Sequence, residues 1–598
     1  MWYTLPMDKS TLKNNRIKKL LTGVLFTLFL LLLPAGIVQA QTVFYDGGAG
    51  IVSATQETDA GGMVTLTRKA FRKGYVLKSW NTVNGGGGID YRPGTTIRLD
   101  QDTTLYAVWK KKNAKNLAKL QNAYLSGMDA LIGGTVSFET EKKDAELALV
   151  TVNQETEAIE YLVERFPEPG NGSPVSFQLP LTGGQYHLVL DAVRVVKGRP
   201  TEETVALHFP VCRVGLAAKC ADGVYRLLGN SVFLSDADQS DNEGGYIEGS
   251  SKKGIQGDEG AEELNVGHVF LNLYASQIVG GTSPYTYNGK TYGFDTTMMN
   301  AILTRADQLK ENGIAVTLQI MLDYGKKAVG NGKTETAPMV HSKARKNGQF
   351  LYSWENREKE GREMIEAMFS YISEALMMGG TPHISEVILG NEVNSYKAYQ
   401  YKGSMSKKEF YTSYAETYRL LYNSVKSMNP KARVFICLDH GWNENPYGYP
   451  ARSFLTEFNK RIRAIDQGIH WDLAFHPYAN PLELTEFWNG KGATDSLNTK
   501  YITMKNINVL TRYLDSSFPY AHLILSELGY TSGDGSEAAQ ELQAEALRRT
   551  YQAVQTNAKI DSVMIRSYYD DPNDGILMLG LKFADGREKK AYQVWKEL

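Results

Sequence analysis

The chain has 598 residues, 42% hydrophobic and 22% charged, which is ordinary globular material and enough for about three or four domains. Its 65 basic and 66 acidic residues leave a net charge of −1, so composition makes no electrostatic case for a nucleic-acid or anionic-surface partner. Three cysteines, Cys212, Cys220 and Cys437, include no CxxC pair, which argues against a cysteine zinc site. Cys437 lies in an apolar run and reads as a buried free thiol. Cys212 and Cys220 could pair in an oxidising compartment, and the sequence leaves that open.

At the N-terminus, Lys9, Lys13, Arg16, Lys18 and Lys19 precede the uncharged run Leu20 to Leu33, then Pro34 and the small-residue site Val38-Gln39-Ala40. This is the three-part pattern of a secretory signal peptide, residues 1–40. The competing reading is a retained signal anchor, because Leu20 to Val38 is almost long enough to span a bilayer. Pro34 and Ala40 favour cleavage. No cysteine follows Ala40, which speaks against a lipoprotein anchor, and neither a second span nor a C-terminal anchor is seen. The expectation is an exported protein, secreted or at the cell surface.

Residues 42–110 hold short strand-like runs, Thr42 to Tyr45, Val64 to Leu66, Gly74 to Trp80, Thr96 to Leu99 and Leu105 to Trp109, separated by glycine clusters such as Gly85 to Gly88. Gly74-Tyr75 with Trp80, followed by Leu105-Tyr106-Ala107-Val108-Trp109, resembles the Listeria–Bacteroides (internalin-type B) repeat, a β-grasp-like module. The resemblance implies a bacterial extracellular setting and a spacer or adhesive role, with cell-wall or surface contact as its partner. Trp80 and Trp109 are expected in the module's core. Lys110 to Leu120 reads as a basic linker. Residues 121–240 carry regularly spaced short runs, including Thr135 to Phe138, Leu147 to Val152, Val175 to Leu179, Tyr186 to Leu190, Thr204 to Phe209 and Gly223 to Leu228, the pattern of a β-sandwich.

From residue 245 to 598 strands and helices alternate. Expected strands are Lys252 to Gln256, His268 to Leu273, Ile314 to Leu322, Ser385 to Leu389, Val434 to Leu438, Trp471 to Phe475, His522 to Leu525 and Val563 to Ile565. Expected helices between and after them are Asp258 to Val266, Thr296 to Glu311, Asn356 to Met378, Lys407 to Met428, Ser453 to Asp466, Thr499 to Ser516, Glu537 to Ala558 and Lys589 to Lys596. Eight such units predict a (β/α)₈ barrel, whose chemistry sits at the C-terminal ends of its strands.

Read at those ends, strand four closes on Asn391-Glu392, strand six on His476-Pro477-Tyr478 and strand seven on Ser526-Glu527. Two glutamates facing each other across one mouth suit glycosidic-bond hydrolysis, in which one group protonates a poor leaving group and the other stabilises or captures an oxocarbenium-like carbon. The set resembles clan A of the retaining glycoside hydrolases, the cellulase-like barrels. That resemblance implies Glu392 as general acid/base and Glu527 as nucleophile. It implies Asn391 on the sugar 2-OH, Tyr478 orienting ionised Glu527, and His476 lining the cleft and bonding substrate or Glu392. It also implies carboxyl groups roughly 5–5.5 Å apart. Two departures touch the substrate subsite. No arginine lies in His268 to Ser276, where Asn272 takes that neighbourhood, and strand eight ends in Ser567-Tyr568 in place of a tryptophan floor.

Asp439 and Trp442 after strand five offer further contacts, as does Asp323 after strand three; for the aspartates a turn or helix-cap role is the alternative. Tyr285, Tyr287, Tyr292, Tyr396, Tyr399, Tyr401, Tyr447, Tyr449 and Trp488 fall in strand-to-helix loops, where flat rings with polar tips suit pyranose faces; half or more would simply pack the loops. Lys326, Lys327, Lys333, Lys343, Arg345 and Lys346 make the loop from Gly325 to Ser353 basic: a solvated loop, or one that walls one side of the cleft or favours an acidic glycan. A metal-dependent hydrolase would need clustered histidines, and only His440 and His476 lie at strand ends, so no metal or cofactor is expected. The reading is therefore a secreted retaining glycoside hydrolase acting on a β-linked poly- or oligosaccharide. The alternative is an inactive barrel that binds glycan or cell wall.

Overall fold

The structure, a computed structural model, describes residues 40–598 apart from 53–54, 73–74, 112–115, 127–128, 139–145, 154–156, 167–172, 181–188, 209–212, 220–222, 234–243, 326–334, 347 and 466–467. The signal-peptide segment, Cys212, Cys220, Lys326, Lys327 and Lys333 lie outside the described residues. Among the described residues no helix is long and apolar enough to cross a membrane.

The chain builds three bodies, a small N-terminal β module, a sheet-rich middle and a closed eight-stranded barrel. In the module, Thr42–Asp46 runs parallel to Thr103–Lys111, which pairs antiparallel with Tyr75–Asn81. Trp80 is fully buried among Val43, Tyr45, Leu66 and Leu105. Trp109, expected beside it, sits half-buried at the rim with its indole N–H donating to the Gly47 carbonyl at 3.0 Å. In the middle, a three-stranded sheet (Asn116–Ser126, Asp129–Phe138 and Ser173–Pro180) faces a six-stranded one, and Leu120, Ile132 and Phe177 share a core with Leu147, Leu149 and Leu216. Its first strand starts inside the stretch read as a linker. The polar composition there hides an inward stripe in which Leu120 and Ala123 are buried.

The barrel strands are β1 (Lys253–Gln256), β2 (His268–Tyr274), β3 (Ala315–Met321), β4 (Glu386–Leu389), β5 (Arg433–Asp439), β6 (Asp472–His476), β7 (Leu523–Leu528) and β8 (Ile560–Ile565). All pair in parallel, and β1 closes the ring on β8. Six of the strands share a lumen core: Phe270 from β2, Ile388 from β4, Phe435 and Cys437 from β5, Ala474 from β6, Ile524 from β7 and Met564 from β8. With side chains alternating along a strand, Asn272, Ser526 and Arg566, two positions on from Phe270, Ile524 and Met564, lie on the same face one layer nearer the mouth. The helices outside are α1 (Thr296–Glu311), α2 (Lys359–Leu376), α3 (Lys407–Met428), α4 (Ala451–Ile465), α5 (Ile507–Ser517), α6 (Glu537–Gln555) and α7 (Lys590–Glu597). Local chemistry starts several of them. Asp295 caps two N–H groups of α1, Ser406 and Glu409 form a capping box on α3, and Ser536 caps α6.

Two expectations fail in the β1 and β2 loops. Asp258 to Val266 is a run of turns rather than a helix, and Gly257 and Gly260 adopt φ values of 81° and 67° that a helix cannot hold. After β2 the chain forms a hairpin, Val279–Tyr287 with Lys290–Phe294, that folds down beside α2. It carries Tyr285 and Tyr287 away from the mouth. The Tyr285 hydroxyl bonds Ser370 and Glu374 of α2, and Tyr287 stacks on His208 of the sandwich at 4.4 Å. This is the seam by which sandwich and barrel dock. It is extended by the Glu160–Arg362 ion pair at 3.0 Å and by Arg419 over the Phe233 ring at 3.6 Å.

Candidate active site

Glu392 reaches the mouth because the chain turns back immediately after β4. Gly390 has φ 77°, where a Cβ would meet Val393 at 2.7 Å, and Glu392 itself has φ 38°, an uncommon and costly conformation for a side-chain-bearing residue. β5 holds the turn: the Val393 N–H donates to the Cys437 carbonyl at 2.9 Å and the Glu392 N–H to Cys437 Sγ at 3.4 Å. Glu392 Oε1 lies 2.8 Å from His476 Nδ1, and the other ring nitrogen is 3.1 Å from Ser526 Oγ and 3.3 Å from Cys437 Sγ. Burial pushes the Glu392 carboxyl above the ordinary carboxylate range, and the charges of Asp439 and Glu527 add to this against the pull of His476. Burial disfavours a charged His476 ring, but Cys437, Glu527 and Glu392 outweigh it and raise the imidazole well above its usual range. Glu392 and His476 therefore titrate as a pair.

Glu527 lies where the register of β7 against β8 shifts between Leu525 and Leu528, which brings Ser526 to the His476 ring and Glu527 to the mouth. Its Oε1 accepts from the Tyr478 hydroxyl at 2.8 Å and from Arg566 Nη1 at 3.3 Å, and its Oε2 from Gln256 Nε2 at 3.2 Å. Burial would raise this carboxyl, yet His476, Arg566 and Tyr478 together hold it below the ordinary range. Two carboxyl groups in one mouth are thus driven apart, one toward the acid and one toward the carboxylate.

Asn391 is half-buried and accepts from Gln319 Nε2 at 3.2 Å. Asn272 follows the lumen residue Phe270 by two positions, pairs in register with Gln319 and is exposed, so its amide opens into the mouth. Four expected contacts sit elsewhere or act differently. His476 bonds Glu392 as expected but is fully buried, so it supports that carboxyl from behind and does not line the cleft. Trp442 is fully buried, its indole N–H on the Leu497 carbonyl and its ring edge-on to Tyr513. Asp439 ties the β4 and β5 loops together, accepting from Asn394 at 2.8 Å, the Gly441 N–H at 2.8 Å, Asn445 at 3.0 Å and the Ser395 hydroxyl. The Tyr568 hydroxyl is bonded to Glu263, and its ring fills the space that the missing side chain of Gly260 leaves. Asp323 likewise accepts from the Ser276 N–H and hydroxyl, a structural tie.

Of the loop aromatics, Tyr396 and Tyr449 pack on each other at 4.7 Å and Trp488 lies under Arg549 at 4.0 Å. Tyr399 is the one whose hydroxyl is raised first by the charge of Glu392, then by burial and by Glu527. Arg566 and Gln256 are functional neighbours that strand-end reading passed over. Arg566 directly follows β8, so the signal was available; Gln256 closes the short β1, where the polar pattern gives little warning. A guanidinium does reach the carboxylate, from β8 rather than β2, and its Nη2 is held by Asp574 at 2.6 Å.

Residues 245–598 match a family described as a family of unknown function, DUF5722. The chain belongs to that family. Ahead of the DUF5722 barrel, residues 42–108 match the Listeria–Bacteroides repeat domain. A 72-residue stretch is 35% identical to a "Putative membrane protein" of Evansella cellulosilytica, covering 12% of this chain and 11% of that protein. Among solved structures, a family 39 glycoside hydrolase of Bacteroides cellulosilyticus is 14% identical with a TM-score of 0.38, over 80% of this chain and 82% of that one. A β-glucuronidase of Bacteroides uniformis is 12% identical with a TM-score of 0.34, over 81% of this chain and 50% of that one.

Proposed function

We propose that the DUF5722 barrel hydrolyses β-glycosidic bonds with retention, Glu392 serving as general acid/base and Glu527 as nucleophile. The observation that carries this reading is the opposed pair of environments. Glu392 is raised by burial beside His476, while Glu527, despite its burial, is lowered by His476, Arg566 and Tyr478. Glycoside cleavage by double displacement asks for that division, a protonated group for the leaving oxygen and an ionised one for the anomeric carbon, at a carboxyl separation of roughly 5–5.5 Å. In this reading Asn391 and Asn272 bond sugar hydroxyls, supported by their position at the ends of β4 and β2. The basic leader and the repeat support an exported protein at the cell surface, with polysaccharide as substrate. An inactive glycan-binding barrel would have no use for two carboxyls tuned in opposite directions.

Glu392→Gln tests the assignment. On a panel of β-linked oligosaccharides its activity should fall by about 10²–10⁴-fold, the usual worth of general acid catalysis. Aryl glycosides with good leaving groups, which need little protonation, should lose far less. Equal losses on both classes would reject Glu392 as the acid.

A further inference from the structure

The loop between β3 and α2 places an aromatic ring at the mouth with no structural need to be exposed. Phe350 is 38% accessible, although its neighbours Leu351 and Tyr352 are buried. The segment is pinned: the Tyr352 N–H donates to the Leu322 carbonyl at the end of β3, the Tyr401 N–H to the Leu351 carbonyl, and the Ser353 N–H to the Tyr401 carbonyl. Tyr352 and Tyr401 thereby form a parallel bridge between the β3 and β4 loops. That bridge sets Phe350 between Tyr274, the last residue of β2, and Tyr399, with ring centroids 6.4 Å away on either side. Both tyrosines meet it steeply, at 70° and 76°, so neither lies flat against it.

The flanking hydroxyls tie this row to the two carboxyls. Tyr399 feels Glu392 most strongly, and the Tyr274 hydroxyl is raised by burial, then by Asp323 and Glu527. Tyr274 ends β2 and Tyr399 lies in the loop after β4, so the row sits at the same C-terminal face of the barrel as both carboxyls. A partly exposed ring held on a fixed frame offers a flat apolar face that a ligand can cover.

We infer that Phe350, flanked by Tyr274 and Tyr399, is a stacking platform for a pyranose ring of the substrate. The class it fits is a β-linked chain of sugars with equatorial hydroxyls, whose axial C–H bonds form a flat apolar face for the ring while the tyrosine hydroxyls meet the polar edge. Of the described basic residues in the same loop, Lys343 is paired with Glu409 and Arg345 with Glu358.

The inference rests on the glycosidase reading, and the test separates the two. Full-length protein and its Phe350→Ala and Phe350→Tyr forms are compared on β-1,4-glucotetraose, β-1,3-glucotetraose and β-1,4-xylotetraose. On whichever is cleaved, Phe350→Ala should raise KM roughly five- to twentyfold with kcat within about twofold, the mark of lost uniform binding, and Phe350→Tyr should restore it. Cleavage by the parent chain with an unchanged KM in Phe350→Ala overturns the platform and leaves the carboxyl pair standing. A kcat loss at constant KM also overturns it. No cleavage of any tetraose, with no binding of them to the Glu392→Gln protein by calorimetry, removes the platform together with the reading beneath it.

Discussion

Beside the charge of His476, Arg566 and Tyr478 lower the Glu527 carboxyl, and both bond its Oε1. Removing the guanidinium in Arg566→Gln takes away a positive charge that lowers the Glu527 pKa. The sign follows directly: the carboxyl then stays protonated to higher pH, and the acid limb of the pH–activity profile moves upward by about one unit. The alkaline limb, set by the Glu392–His476 pair, should hold its place. A profile in which both limbs move together would mean that Arg566 supports the fold of the mouth rather than the charge of Glu527. Cys437 belongs to the same scale. The sequence marks it as a buried thiol, and buried it is, but its sulfur touches the His476 ring and the Glu392 N–H, a role that no local pattern announces.

At the scale of elements, the barrel strands were legible because β-branched and apolar runs such as Val387-Ile388-Leu389 and Val434-Phe435-Ile436 stand out between helical stretches with clear caps. The hairpin after β2 was hidden by Gly280-Gly281 and by Thr286, which read as loop, and its pairing is a tertiary fact. So is the fate of the tyrosines: Tyr285 and Tyr399 look alike in sequence, yet one is bound to α2 and the other faces the carboxyls. The partners of Asp439, at the end of β5, and of Trp442, in the loop after it, could not be read either, since Asn394 and Leu497 lie far off in sequence.

The α2 seam carries a prediction of its own. Glu366, beside Arg362, is pushed by burial to about 7 from an ordinary 4.5, with Arg362 opposing. The folded chain keeps a proton there that the unfolded chain releases, so stability is full below pH 4.5 and falls as pH rises through about 7, by at most about 3 kcal/mol. Glu366→Gln mimics the protonated side chain. In denaturant melts it should match the parent chain at pH 4.5 and exceed it by about 1–3 kcal/mol at pH 8. A loss of stability at pH 8 would show that the ionised pair with Arg362 holds the seam.

For the whole molecule, the polar seam of Glu160, Arg362, His208 and Tyr287 makes sandwich and barrel neighbours in one assembly. None of the described residues of the N-terminal module belongs to the mouth. Removing residues up to Lys110 should therefore leave specific activity on soluble oligosaccharides within about twofold, while pelleting with insoluble bacterial cell wall should fall, as expected when a tethering module is lost. A folded truncation with lost activity would give the module a part in the cleft. The central claim is that Glu527 attacks the anomeric carbon. It is tested most directly by incubating the full chain with a panel of activated 2-deoxy-2-fluoro β-glycosides, which form the glycosyl-enzyme and release it slowly, and by locating the label by peptide mass spectrometry. The account predicts a single fluorosugar on the peptide that contains Glu527, and none after Glu527→Gln. Hydrolysis of glycosides with inverted product and no label, or a label on another residue, would contradict it.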